Sequence, residues 1–148
     1  MAYIAVVGPG EASPAEARDA EAIGRAIAEV GATLVCGGLG GVMAAACRGA
    51  AQAGGMTVGI LPGSDRAAAN EWVRVALPTG LGELRNGLVV RAADVVVAVG
   101  GAYGTLSEVA LALKTGVPVI GLGTWEIDGI RVVDSPREAV DVAIQARA

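Results

Sequence analysis

Residues 94–122 read DVVVAVGGAYGTLSEVALALKTGVPVIGL, and this stretch decides the fold. An apolar run of Val and Ala at residues 95–99 leads into a glycine-rich loop, which opens directly into a helical segment. A second β-rich run, residues 117–122, follows that segment. A strand, a helix and a further strand in this order form a βαβ unit, in which the two strands lie parallel.

The same alternation of β-rich and helical segments extends over the whole chain. The other β-rich runs are Tyr3–Val7, Thr33–Cys36, Thr57–Leu61, 73–76 and 130–133. Several of them are apolar on both faces, as strands covered by helices on each side should be. We therefore predict an α/β fold, a doubly wound Rossmann-like parallel sheet of about seven strands in three αβα layers. With 148 residues and no linker or repeat, the chain is expected to form one domain, residues 1–148.

Composition excludes several classes of chemistry. The chain has no histidine, which removes Ser-His-Asp triads, histidine-ligated zinc and histidine acid–base catalysis. Its one lysine, Lys114, lies at a predicted helix end and not in a Gly-Lys-Ser/Thr loop, so neither a P-loop nor a pyridoxal phosphate site is expected. The two cysteines, Cys36 and Cys47, lack metal-ligand spacing and are expected to be buried thiols. We expect no metal and no cofactor.

Charge and hydropathy limit the classes of binding partner that are expected. The net charge of −4 argues against nucleic acid, because a phosphate backbone needs a basic surface. No apolar run approaches the length of a membrane span, and the N-terminus lacks the basic region of a signal peptide. We therefore predict a cytoplasmic protein that binds neither nucleic acid nor a membrane.

Three helix starts match the capping-box pattern, in which a hydroxyl caps the first turn and a glutamate three residues on reaches back to the cap. They begin at Ser13, Thr105 and Ser135. The pattern predicts that each of these residues is an N-cap.

Glycine-rich loops follow four of the predicted strands, at the sheet edge where doubly wound folds bind ligands. They contain residues 8–10, 37–41, 62–63 and 100–105. Glycine lets the backbone approach an anion, and the N-terminus of the next helix points free N–H groups at it. A single loop of this kind is often only a turn, but two of these open directly into helices. This arrangement indicates phosphate binding.

An NAD site fits this pattern poorly. After Gly8-Pro9-Gly10 the dinucleotide fingerprint requires a third glycine at position 13, where Ser13 stands. The second strand ends in Cys36 and glycines, where an NAD site has an acidic residue for the ribose.

Residues 100–108 resemble the Pro-Gly-Gly-x-Gly-Thr-x-x-Glu signature of the Lonely Guy (LOG) family, and residues 36–43 resemble its Gly-Gly-Gly-x-x-Gly-Leu-Met motif. Arg85 stands where that family has an Arg-Lys pair. Family members are cytokinin riboside 5′-monophosphate phosphoribohydrolases, long mislabelled as lysine decarboxylases. The resemblance runs from the first strand to about residue 122 and is closest to a short branch that includes molybdenum cofactor carrier proteins.

The chain departs from the LOG pattern in the loops and beside Arg85. Asn86 replaces the lysine of the pair, and Gly82 and Glu83 stand where LOG enzymes tend to have Met-His. The substituted loop positions are Gly100 for proline, Ala102 for the second glycine, and Cys36 for the first glycine of the other motif.

The resemblance implies a nucleoside monophosphate or similar phosphorylated small molecule as ligand. The residues expected to bind it are Gly8, Gly10, Gly38, Gly40, Gly41, Met43, Gly100, Gly101, Ala102, Tyr103, Gly104 and Thr105. It also implies hydrolysis of the N-glycosidic bond, not lysine decarboxylation. Glu108 would face the oxocarbenium-like state, and Arg85 would hold the phosphate or steer the leaving base.

Alternatives stay open at the level of sequence. Glu108 is equally a capping-box residue, and Arg85 is equally a solvated helix residue. Arg91, six residues further on, is a second candidate that is expected to face solvent. Tyr103 or Trp125 would stack on a base or a pterin, or pack at the rim. A non-catalytic carrier or sensor of a phosphorylated ligand such as molybdenum cofactor is the main alternative function, and a nucleotide-binding subunit with a role in assembly is the third.

The predicted helix at residues 106–114 has apolar residues on nearly all of its faces, and such a helix is normally buried on all sides. A small domain with few charged residues has little else to cover it, so we predict a homodimer or higher homo-oligomer.

Overall fold

The computed structural model describes residues 2–147 and places seven strands in one sheet. In chain order the strands are β1 (Tyr3–Val7), β2 (Thr33–Cys36), β3 (Thr57–Leu61), β4 (Val75–Pro78), β5 (Val95–Val99), β6 (Val119–Leu122) and β7 (Arg131–Val132). The α-helices are α1 (Pro14–Glu29), α2 (Val42–Gln52), α3 (Asn86–Arg91), α4 (Tyr103–Thr115) and α5 (Pro136–Ala146). Every strand pair is parallel, in the order β4-β3-β2-β1-β5-β6-β7. The predicted doubly wound α/β fold is confirmed.

Each central strand contributes to two cores, because successive side chains of a strand point to opposite faces of the sheet. In β1, Ile4 and Val6 face one core, whereas Ala5 and Val7 face the other. Helices α1, α2 and α5 cover the first face, and α3 and α4 cover the second. These are the three predicted layers. Within the described residues, no helix is long and apolar enough to cross a membrane.

The winding of the sheet reverses at β1. Strands β2, β3 and β4 add outward on one side of β1, and the chain then returns to place β5 on its other side. The loops that follow β1 and β5 therefore lead to helices on opposite faces of the sheet. This divergence leaves a crevice at the carboxyl ends of the two strands, where ligands bind in open α/β sheets.

Serine caps begin α1 and α5, as predicted. The Ser13 hydroxyl accepts from the Glu16 N–H at 3.1 Å, and the Glu16 carboxylate accepts from the Ser13 N–H at 2.9 Å, which completes the capping box. The Ser135 hydroxyl accepts from the Glu138 N–H at 3.2 Å.

The third predicted cap, at Thr105, is wrong. Helix α4 begins at Tyr103, and its N-cap is Ala102, which has no side-chain capping bond. The helix starts early because Gly100, at a φ of 68°, turns the chain at once after β5, and extended Ala102 then leads into the first turn. Thr105 and Glu108 therefore lie inside the helix, where neither side chain is needed as a cap.

Strand β4 begins two residues later than the predicted run at 73–76. The Asn70 side chain accepts from the Trp72 N–H at 3.0 Å, and the Asn70 carbonyl accepts from the Val73 N–H at 3.1 Å. These bonds hold residues 70–73 in a turn, so the β-branched Val73 does not start the strand.

Helices α1 and α2 pack backbone to backbone through two glycines. A Cβ on Gly24 would overlap the Ala46 carbonyl oxygen, and a Cβ on Gly49 would overlap the Glu21 carbonyl oxygen. The close approach holds the two helices together on one face of the sheet.

Replacing Gly24 with alanine is expected to lower the free energy of unfolding by about 3 kcal/mol, because a rigid backbone group must move. This loss exceeds the gain in helix propensity, which is about 1 kcal/mol. Gly63→Ala is the control, since a Cβ there meets no atom within 4 Å. Urea unfolding of the two variants measures the difference, and equal stability would contradict the packing described here.

Candidate functional site

A cavity of about 200 Å³ lies in the crevice between the carboxyl ends of β1 and β5. Eight of the fourteen predicted site residues line it. They are Gly8, Gly10, Met43, Arg85, Ala102, Gly104, Thr105 and Glu108. The structure therefore brings together residues from the loop after β1, the first turn of α2, the segment before α3, the loop after β5 and the first turns of α4.

The other predicted residues do not line the cavity: Gly38, Gly40, Gly41, Gly100, Gly101 and Tyr103. At least two of them shape the loops. A Cβ on Gly41 would overlap the Pro9 carbonyl oxygen, where the first and second loops meet. A Cβ on Gly100 would overlap the Glu16 carboxylate. Glycine at these positions thus lets the loops close around the cavity.

Two helices begin next to the cavity without a side-chain cap, and Met43 in the first turn of α2 and Gly104 in that of α4 line it. The N-cap residues are Gly41 for α2 and Ala102 for α4. The first N–H groups of a helix have no acceptor within the helix. Gly104 and Thr105 are in the first turn of α4 and line the cavity, so their N–H groups are free to donate to a ligand there. The partial positive charge of these helix ends favours an anion.

Arg85 supplies the cationic side chain of the cavity and is 9% exposed. Its Nη2 donates to the Gly37 carbonyl at 3.3 Å, its Nη1 donates to the Asn86 side-chain oxygen, and its Nε has no partner. Among residues 2–147, no carboxylate lies within the 4.0 Å salt-bridge distance of the guanidinium. A buried cation without a counter-ion is costly, so this arrangement favours an anionic ligand.

Two residues next to this cation, Gly37 and Asn86, line the cavity and were not predicted as site residues. A Cβ on Gly37 would lie 2.6 Å from Arg85 Nη2, so a larger residue there would displace the guanidinium from this position. The Asn86 amide group also donates to the Ser107 hydroxyl at 3.2 Å and thereby connects Arg85 to α4. The bond to Gly37 spans 48 positions of sequence, and no local pattern could have indicated it.

Thr105 is 1% exposed, and its hydroxyl oxygen has no hydrogen-bond partner among the described residues. A buried hydroxyl usually has a partner. Because Thr105 lines the cavity, a bound ligand is the group that would satisfy its hydroxyl.

Glu108 lies one turn further along α4 and is 7% exposed. Burial raises the pKa of its carboxyl to about 7, and the positive charge of Arg85 opposes the rise. At neutral pH the cavity therefore holds a carboxyl group close to half-protonation, which is suited to exchanging a proton.

Tyr103 and Trp125 form an aromatic pair beside the cavity. Their ring centroids lie 6.4 Å apart with an interplanar angle of 21°. The Trp125 indole N–H donates to the Ala102 carbonyl at 3.2 Å, which fixes Trp125 against the start of α4. Tyr103 is 85% exposed, so most of its ring is uncovered. The second arginine considered from sequence, Arg91, is exposed and does not line the cavity.

Comparison with known proteins gives relatives along the whole chain. The profile of the SLOG cluster4 family matches residues 1–147. An uncharacterised protein of Archaeoglobus fulgidus is 42% identical over 147 residues, which cover 99% of this chain and 97% of that protein.

Solved structures agree with this assignment. The molybdenum cofactor binding protein of Rippkaea orientalis has a TM-score of 0.92 at 38% identity, covering 97% of this chain and 96% of its own. The molybdenum cofactor carrier protein of Chlamydomonas reinhardtii has a TM-score of 0.89 at 34% identity, covering 98% of each chain. DNA processing protein A of Helicobacter pylori, at 20% identity and a TM-score of 0.74, covers 99% of this chain and 82% of its own, and shares the fold alone. The resemblance inferred from the glycine motifs is thereby confirmed, and the chain belongs to the SLOG cluster4 family.

Proposed function

We propose that this protein binds a phosphorylated small molecule in the cavity and carries it without chemical change. The observation that carries the proposal is a buried arginine with no carboxylate partner, placed beside two uncapped helix N-termini. The relatives described as molybdenum cofactor binding and carrier proteins support a phosphorylated pterin of that type as the ligand.

The charges in the cavity favour a phosphate anion. Arg85 contributes one positive charge and each helix N-terminus roughly half a charge, whereas Glu108, with a pKa of about 7, offsets roughly half a charge at neutral pH. The cavity is therefore net positive, and more so when Glu108 is protonated. The Arg85 Nε, the N–H groups of Gly104 and Thr105, and the Thr105 hydroxyl supply the hydrogen bonds. These donors are already fixed in place, so little is lost in ordering them when the ligand binds.

Hydrolysis of a nucleoside 5′-monophosphate is the second candidate function, and Glu108 favours it. A buried carboxyl with a pKa of about 7 is suited to general acid–base catalysis at neutral pH. It lies in the same cavity as Arg85, so a phosphate bound there would bring the adjoining ribose near it. The candidate rests on this one group, whereas the carrier proposal requires only the anion site.

Titration with AMP, adenosine and inorganic phosphate tests the proposal. Calorimetry is expected to show binding of AMP and phosphate but not of adenosine, because the phosphate supplies the recognised charge. Chromatography of the AMP sample then separates the two candidate functions. Unchanged AMP supports a carrier, whereas free adenine and ribose 5-phosphate would show a hydrolase. Equal affinity for AMP and adenosine would contradict the anion site.

Replacing Thr105 with valine is expected to weaken AMP binding by about tenfold and to leave any adenosine binding unchanged. The hydroxyl has no partner in the free protein, so its loss should not lower the free energy of unfolding. Calorimetry and urea unfolding measure the two quantities. Equal losses for AMP and adenosine, or a clear loss of stability, would contradict the assignment.

We also propose that the protein is a homodimer or larger homo-oligomer. On α4, Leu106, Leu111 and Leu113 are only partly buried, and next to this helix Leu84 is 78% exposed. A second copy of the chain would cover these side chains, and closed dimers are the commonest arrangement. Light scattering at micromolar concentration is expected to give at least twice the 14.6 kDa of one chain, and the mass of a monomer would contradict the proposal. A cytoplasmic location and a single domain over residues 1–148 stay predictions.

A further inference from the structure

Cys36, at the end of β2, and Cys47, in α2, form a buried thiol pair outside the anion site. Their sulfur atoms lie 3.4 Å apart, and both thiols are free and fully buried. A disulfide requires the sulfurs to approach by about another 1.4 Å. We propose that Cys36 and Cys47 form a reversible disulfide on exposure to a hydroperoxide, and that this bond lowers the affinity of the adjoining cavity for its anion.

The pair is connected to the cavity through Gly37. This residue follows Cys36, and its carbonyl accepts from Arg85 Nη2 at 3.3 Å. The two groups are in close contact, since a methyl group on Gly37 would lie 2.6 Å from the guanidinium. The Cys36 sulfur also accepts from the Gly38 N–H at 3.3 Å. Moving that sulfur toward α2 breaks this bond and displaces Gly37, so Arg85 loses the carbonyl that orients it.

Cys36 is the sulfur that reacts first. The hydrogen bond with Cys47, the Gly38 N–H and the positive charge of Arg85 lower the pKa of Cys36, against the opposing effects of burial and of the Glu108 charge. The hydrogen bond with Cys36 and burial raise the pKa of Cys47. Gly37 and Met43 line the cavity, so a molecule as small as hydrogen peroxide reaches the residue next to Cys36.

The reaction balances with one hydroperoxide. The Cys36 thiolate attacks a peroxide oxygen, the O–O bond breaks, and the departing hydroxide takes up a proton to become water. The Cys47 sulfur then attacks the sulfenic sulfur of Cys36, and the S–O bond breaks. The Cys47 proton leaves with the hydroxyl group as a second water. Two thiols are thereby oxidised by two electrons, and hydrogen peroxide is reduced to two waters.

Intact-mass and peptide mass spectrometry of the full chain test the bond. Hydrogen peroxide is expected to remove two hydrogens from the wild type and to link the peptides that contain Cys36 and Cys47, and dithiothreitol should reverse both changes. Cys47→Ala cannot form the link and should instead retain a sulfenic acid at Cys36, detectable with dimedone. Oxidation of Met43 with both thiols still free would overturn the proposal, because peroxide would then have reached the cavity without forming the bond.

The effect on the cavity has two readouts. The affinity for inorganic phosphate rests on the proposed function, and oxidation should lower it by about tenfold or more, with no such change in peroxide-treated Cys47→Ala. The NMR signals of the Arg85 Nε–H and the Gly37 N–H need no ligand and should shift on oxidation. If the reduced protein binds no phosphate, the proposed function fails. The NMR shifts still test whether the disulfide changes the surroundings of Arg85. A disulfide that leaves both signals unchanged overturns the proposed connection. If Cys47→Ala does not fold, Cys36→Ala serves as the unlinked control.

Discussion

Replacing Arg85 with glutamine is expected to weaken binding of the phosphorylated ligand by about 100-fold. The substitution removes the cationic side chain of the cavity and its free Nε donor. At pH 5, where Glu108 is mostly protonated, the free protein should not lose stability through the lost charge, because a buried cation without a carboxylate partner is unfavourable until an anion binds. A large loss of affinity with no electrostatic loss of stability is characteristic of a binding residue.

Two variants make this result specific. Arg91→Gln removes the same charge from an exposed position six residues on in the sequence and should leave affinity nearly unchanged. Arg85→Lys retains the charge but lacks the planar fork that contacts Gly37 and Asn86, so an intermediate affinity is expected. Calorimetry with AMP measures all three. Wild-type affinity in Arg85→Gln, or equal losses in Arg85→Gln and Arg91→Gln, would contradict the site.

The free energy of unfolding of Glu108→Gln, relative to that of the wild type, is expected to be higher at pH 8 than at pH 5, by up to about 3 kcal/mol. Folding raises the pKa of this carboxyl from 4.5 to about 7. As the pH rises from 4.5 toward 7, the unfolded chain therefore loses its proton first, and the wild type loses stability. Above pH 7 the folded protein holds a buried carboxylate, and glutamine removes that unfavourable charge.

Urea unfolding of wild type and Glu108→Gln at pH 5 and pH 8 measures this effect. The difference in the free energy of unfolding at pH 5 is the control, because Glu108 is mostly protonated in the folded wild type at that pH. It therefore reports how the amide changes packing and hydrogen bonds, without a buried charge. A difference that is the same at both pH values would show that burial does not perturb Glu108.

The same variant separates the two candidate functions. If the wild type hydrolyses AMP, the loss of the carboxylate should lower the rate by about 100-fold or more, because a charge opposite the oxocarbenium-like state is removed. Affinity for AMP should not fall, since removing a negative charge near the phosphate cannot weaken its binding electrostatically. Hydrolysis retained in Glu108→Gln would end the catalytic assignment. A wild type that binds AMP and leaves it intact supports the carrier.

Local patterns were sufficient to predict the sheet and the edge at which the cavity lies. Apolar runs such as Val95–Val99 are strongly β-forming, and the glycine loops that follow them must meet because parallel strands end at one edge of the sheet. The prediction that Thr105 is a helix cap failed for a local reason. A hydroxyl followed three residues later by glutamate suits a cap and a helix interior equally, and the glycine turn at Gly100 determined where α4 begins.

The connections within the site lie beyond any sequence pattern. Gly37 reads as one of several loop glycines, and its role follows from the guanidinium of a residue 48 positions away. Asn86 is visible as a departure from the LOG pattern, but its bonds to Arg85 and Ser107 depend on how α3 packs against α4. The 3.4 Å approach of Cys36 and Cys47 likewise follows from the packing of α2 on the sheet.

Mass spectrometry of the small molecule that stays with the protein through native purification tests the proposed function most directly. Wild type and Arg85→Gln are expressed side by side in cells that make phosphorylated pterins, purified without phosphate, and denatured to release their ligand. A phosphorylated pterin from the wild type, and little or none from Arg85→Gln, is the predicted result. A wild type that releases no phosphate-containing molecule, or equal amounts from both proteins, would contradict it.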